Sequence, residues 1–155
     1  MKRRLLPFVV LAALLMPALA WSQSFEQDAE LLRADLRAEK VAFITENMAL
    51  SDADGEKFWP LQRDYQHELS RLDDQRIALI KEYTASLDTM SSKQATDFMG
   101  RAFKLQEQRT ALLKKYAGTI AKQVSPKIAM RFVHIESALE SLINLQIRAN
   151  LPVAH

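Results

Sequence analysis

The sequence predicts an all-α protein on three observations. Ala, Leu, Glu, Lys, Gln and Arg dominate it, whereas 3 Gly and 5 Pro are a sparse supply for a fold that needs many tight turns. Helix-start chemistry recurs at three well-separated places. Between those places, apolar residues return at three- and four-residue steps. The expected architecture is four helices, near residues 26–48, 52–87, 92–123 and 126–149, in an extended antiparallel hairpin arrangement. At 1.5 Å per residue the two middle helices reach roughly 50 Å and the outer two roughly 35 Å. Short connections should turn successive helices back on one another.

The first twenty residues, MKRRLLPFVVLAALLMPALA, stand apart. Lys2, Arg3 and Arg4 form a cationic start, an apolar run follows, Pro17 breaks it, and Ala18-Leu19-Ala20 fits a small-x-small cleavage site. This is the pattern of an export signal cleaved after Ala20, with an apolar run shorter than the ~20 residues of a membrane helix. Residues 21–155 are then a single helical domain, expected in the periplasm. Removing the signal takes Lys and Arg from 21 to 18 against 19 Asp and Glu, so the formal charge passes from +2 to −1. The composition argument for a nucleic-acid partner goes with it. The chain has no Cys, hence no disulfide framework, thiolate metal site or cysteine nucleophile.

Each helix start has its own cap. Ser51 precedes Asp54 by three residues, a pairing able to form a capping box, and Ser91-Ser92-Lys93-Gln94 has the Ser-x-x-Gln form. Ser125-Pro126 puts proline at the first helical position, where its missing N–H costs nothing. Pro60 is different, lying well inside the second helix, where the ring removes a hydrogen bond to the Glu56 carbonyl. The helix should bend there or divide, with Trp59 packed against a neighbouring helix.

The second helix carries an apolar stripe of Phe58, Leu61, Tyr65, Leu69, Leu72, Leu79 or Ile80, Tyr83 and Leu87. The third carries Phe98, Ala102, Leu105, Leu112, Tyr116 and Ile120. Both stripes are flawed: Arg76 and Arg109 fall where the spacing asks for an apolar residue, so the seam should be narrow or open there. In the fourth helix Ile128, Phe132, Ile135, Leu139 and Leu142 make one face, while Val133, Ile143 and Ile147 widen it. A helix this apolar needs two partners, which points to self-association.

Charge divides along the chain. Residues 26–88 hold 15 acids against 8 bases, and residues 89–155 hold 4 acids against 10 bases. One reading makes these solvated faces of opposite sign that help the helices pair. A sharper one makes Arg101, Lys104, Arg109, Lys114, Lys115 and Lys122 the border of an exposed concave face. The bases interleave with Phe98, Phe103, Leu105, Leu112, Leu113 and Tyr116, a mixture suited to many weak contacts with unfolded chains or with anionic lipid.

Catalysis finds no foothold: there is no Gly-rich phosphate loop, Gly-x-Ser-x-Gly elbow or haem-attachment motif, so no catalytic residue and no cofactor is assigned. The best local metal pair is Asp64 with His67, three apart on one helix face. A surface His beside an Asp is far more often solvated than ligating, so no metal is assigned. Met48, Met90, Met99 and Met130 read as core fillers.

Two stretches resemble a known family. Lys40 to Pro60, KVAFITENMALSDADGEKFWP, is similar to the first conserved block of the Spy/CpxP-like periplasmic proteins, the LTxxQ-motif group that includes proteins described as periplasmic heavy-metal sensors. The later KKYAGTIAKQVSPKIAMRFVHIE is similar to the second block, in which a Leu-Thr/Ser-Pro motif opens the last helix. The motif residues here are Leu50, Ser51, Asp54, Phe58, Trp59 and Pro60, then Ser125 and Pro126. Asp54 and Ile128 stand where the motif has Gln, so the second site keeps only its Ser cap and Pro. The resemblance implies a four-helix protomer in a cradle-shaped antiparallel homodimer. It also implies an ATP-independent chaperone or stress adaptor of the envelope, holding unfolded or partner proteins on its concave face, or engaging a sensor protein. Metal binding or sensing and a purely structural coiled-coil adaptor are the two other classes it leaves open.

Overall fold

The computed structural model describes residues 40–150, and every regular element among them is helical. The proposed signal and the first part of the first expected helix lie outside the described residues. The end of that helix, α1, covers residues 40–48. It is followed by α2 (Asp52–Ser86), a 3₁₀ turn (Leu87–Thr89), α3 (Ser92–Gln123) and α4 (Pro126–Asn150). The chain divides between Phe43 and Ile44, and the helices packed together belong to the second unit, Ile44–His155.

The caps set these boundaries. Ser51 accepts the Asp54 N–H at 3.2 Å, but the Asp54 carboxylate takes the Ser51 hydroxyl at 2.7 Å, so the expected capping box is only half formed. At α3 the box is complete: Ser91 accepts the Gln94 N–H at 3.3 Å and Gln94 Oε1 accepts the Ser91 N–H at 2.9 Å. Ser125 accepts the Ile128 N–H at 3.1 Å, directly after Pro126 opens α4.

The expected division of the second helix at Pro60 does not occur, since α2 runs unbroken from Asp52 to Ser86. Pro60 is exposed, so the carbonyl it leaves unbonded can turn to water. Beside it Trp59 is half-buried against the core and meets Phe58 edge to face, with centroids 5.1 Å apart.

The core joins all four helices. Ile44 and Met48 from α1, Phe58, Tyr65 and Leu69 from α2, Leu112, Tyr116 and Ile120 from α3, and Ile128, Phe132 and Ile135 from α4 form one buried cluster. At its centre Tyr65 packs edge to face on both Tyr116 and Phe132, at 5.5 and 5.1 Å between centroids. Helices α2 and α3 are also joined by ion pairs, Glu68 with Lys115 at 2.8 Å and Glu82 with Arg101 at 2.6 Å. The pairs advance along α2 as they recede along α3, and they set the acids of one half of the chain against the bases of the other.

The methionines do not all fill the core as expected. Met48 is fully buried, but Met99 and Met130 are 56% and 68% exposed and fill no core. Each stands one place off its helix's buried stripe, beside Phe98 and Ala129.

Candidate functional site

The stripe flaws become a polar seam. Arg109, from α3, is 9% exposed and reaches both ways, donating one Nη to Asp73 of α2 and the other to Glu140 of α4. Arg76 of α2 donates to the other oxygen of Glu140 at 3.2 Å and to the amide oxygen of Asn144. One turn earlier on α4, buried Glu136 accepts the Tyr65 hydroxyl at 3.3 Å and the Gln66 amide at 3.2 Å. The seam lines a cleft of about 360 Å³ bounded by Leu69, Leu113, Thr110, Ser137 and Ser141. The gap expected at the two arginines is therefore present but bridged by carboxylates.

Burial and charge act against each other here. Burial alone would lower the Arg109 pKa, but Asp73 and Glu140 more than offset it, and the guanidinium stays charged with its pKa raised. Burial, then the Glu136 and Glu140 charges, push the Tyr65 phenol well above its ordinary range. Tyr116 is pushed up to about 12, first by burial and then by its 2.8 Å bond to Glu68. The Glu68 carboxylate is held below the usual range by Lys115 and then by Tyr116.

The residues expected to contact clients, Phe98, Arg101, Phe103, Lys104, Leu105, Arg109, Leu112, Leu113 and Tyr116, do not share one exposed face. Phe98, Leu112 and Tyr116 are buried, and Arg109 is buried in the seam. Phe98 packs edge to face on Tyr83, beneath the Arg101 guanidinium. Arg101 is tied to Glu82 and Asp97, while Leu105 and Leu113 are half-buried. Phe103, 68% exposed, and Lys104 are the members that face solvent. More exposed apolar surface lies at the end of α4, where Leu142, Ile143 and Leu145 have 59, 43 and 66% of their area exposed. The inward stripe of α4 is thus buried as far as Ile135 and Glu136, and the apolar residues Leu142, Ile143 and Leu145 beyond it are exposed.

The first block's motif residues lie at the start of α2, whereas Ser125 and Pro126 open α4. Leu50, Ser51, Trp59 and Pro60 line a second cleft, of about 490 Å³, with Thr45, Gly55 and Arg63. Asp64 and His67 are both exposed, and a His67 ring nitrogen lies 3.3 Å from Arg71. Among the described residues no three His, Asp or Glu side chains converge as metal ligands, and no helix is long and apolar enough to cross a membrane.

Sequence reasoning flagged both arginines but missed their partners, Asp73, Glu140 and Asn144, and the neighbouring Glu136 that holds Tyr65 and Gln66. A signal existed: Glu136 and Glu140 stand four apart within the apolar face of α4, so at least one had to point inward. Comparison with family models, curated proteins and solved structures gives no match.

Proposed function

We propose that this chain is a periplasmic, ATP-independent chaperone or envelope-stress adaptor, acting as a homodimer of extended helical hairpins that form a cradle. The observation that carries the reading is the set of apolar side chains left in water on α3 and α4: Met99, Phe103, Leu142, Ile143 and Leu145. Such side chains suit shallow, reversible contact with the apolar segments of unfolded proteins, and nearby Lys104 adds long-range attraction for acidic ones. The likeness of residues 40–60 and 114–136 to the two Spy/CpxP-like blocks supports the same reading. Of the client-contacting residues expected from the sequence, Phe103 and Lys104 are accessible, with Leu105 and Leu113 half-buried beside them, and the end of α4 joins them. Arg109, Leu112 and Tyr116 instead serve the fold. Binding would need no cofactor, and release would follow client folding.

The test is aggregation of an unrelated unfolding protein in the presence of purified residues 21–155 without ATP. Suppression near equimolar amounts is expected, weakened in a Phe103→Ser/Leu145→Ser variant of unchanged helicity. Absence of suppression by the wild-type chain would refute the chaperone reading. Sedimentation of the same samples tests the dimer, and zinc or copper titration tests the metal-binding class.

A further inference from the structure

We infer that the corner between α1 and α2 is a clasp that opens without unfolding of the remaining helices. Opening would uncover the apolar seat that Ile44 and Met48 fill in the closed state. The inference is independent of the chaperone reading, because it concerns contacts within this chain alone.

Three observations carry it. First, the end of α1 is held from across the fold, since Arg131 of α4 donates a single Nη to the Met48 carbonyl and, at 3.4 Å, to the Ala49 carbonyl. These are terminal carbonyls that have no partner in their own helix, so one guanidinium does the work of a C-cap. Second, Ala49 has φ of +45°, the left-handed conformation that crowds its Cβ against the backbone and that helix ends usually give to glycine. The closed corner is therefore strained, and the strain is relieved when it opens. Third, a cleft of about 490 Å³ lies beside the corner, with Thr45 and Leu50 on one wall and Gly55, Trp59 and Arg63 on the other. The corner has room to move.

Apolar burial closes the clasp together with the Arg131 bonds. Ile44 and Met48, one turn apart, are 1% and 0% exposed in the cluster that also holds Phe58, Ile120 and Phe132. Burial of these two side chains and the Arg131 bonds oppose the Ala49 strain. The balance is local, because Tyr65, Leu69, Leu112 and Ile135 continue the core away from the corner.

Native-state hydrogen exchange of the full mature chain, read by mass spectrometry on Arg131→Gln and Ala49→Gly, tests this. In the wild type, amides of residues 44–50 should exchange faster than those around Phe58 and Ile120. Arg131→Gln should accelerate residues 44–50 by about tenfold or more while the others stay within about twofold. Ala49→Gly should slow residues 44–50 by about threefold or more, because glycine removes the strain that favours opening. Exchange of the corner at the same rate as Phe58 and Ile120 in the wild type would mean that it opens only with global unfolding, and would overturn the clasp. Should Arg131→Gln fail to fold, the glycine variant decides: slowing confined to residues 44–50 supports the clasp, and no change or a uniform change refutes it.

Discussion

Arg76 and Arg109, from different helices, share one carboxylate, each taking one oxygen of Glu140 on a third. Two like charges are thus held near each other by an acid that neither could reach within its own helix, while Asp73 takes the other Nη of Arg109 and Asn144 the other Nη of Arg76. The arrangement turns two defects in apolar stripes into a junction of α2, α3 and α4.

Arg109→Ala should therefore be costly. It takes from Glu140 one of its two arginines and from the half-exposed Asp73 its ion pair, and it opens a void in the seam, so about 1–3 kcal/mol of destabilisation is expected in urea unfolding. Replacing both Arg109 by Met and Glu140 by Leu should recover most of that loss, since removal of a whole buried pair is often close to neutral. A double variant no better than the single one would show that Arg76 depends on Glu140 as strongly as Arg109 does.

The alkaline limb of stability should carry the signature of Tyr116. Its folded pKa, about 12, lies above the ordinary 10.0, so the folded state holds this proton more tightly than the unfolded chain. Its contribution is complete below the unfolded value and is lost as pH rises from there through the folded one. Denaturation midpoints should fall over that window, and Tyr116→Phe should reduce the slope. An equal slope in both proteins would assign the loss to other groups.

Gln62 offers a stabilising change. It is 2% exposed, and its amide nitrogen has no hydrogen-bond partner among the described residues. An orphaned donor costs about 1–3 kcal/mol, so Gln62→Met should raise the urea midpoint. A lower midpoint would indicate that a bound water satisfies the amide.

Pro60→Ala should also stabilise. Because α2 continues through Pro60, the variant restores a hydrogen bond and removes a ring clash in an otherwise intact helix, a gain of about 1–3 kcal/mol. Small-angle scattering of the same variant bears on curvature. An unchanged profile together with full client protection would leave Pro60 no part in shaping a cradle.

The helices were legible in the sequence because what defines them is local. Ser51, Ser91 and Ser125 each act on an amide three residues ahead, and Phe58, Tyr65 and Leu69 repeat at the spacing of one face. The seam was legible only as a disturbance. Arg76 and Arg109 could be seen to break their stripes, but Glu140 lies 64 and 31 residues away from them, and pairing at that distance depends on how three helices pack. The client face failed to assemble for a related reason. Phe98, Leu112 and Tyr116 neighbour basic residues in the chain, yet their place in the α3 stripe turns them inward. Periodicity outweighed composition.

The charged pairs between α2 and α3 also act as a ruler. Glu68–Lys115, Asp73–Arg109 and Glu82–Arg101 are spread over about 21 Å of α2 at 1.5 Å per residue. Sliding α3 by one turn in either direction would set Ala111 or Thr119 opposite Glu68, and Leu105 or Leu113 opposite Asp73. Glu82 would face Leu105 or Asp97, the latter a like charge. Every such slip strands all three acids at once, whereas the apolar stripes, which repeat each turn, would tolerate it far better. The greasy faces make the two helices adhere, and the ions tell them where to stop.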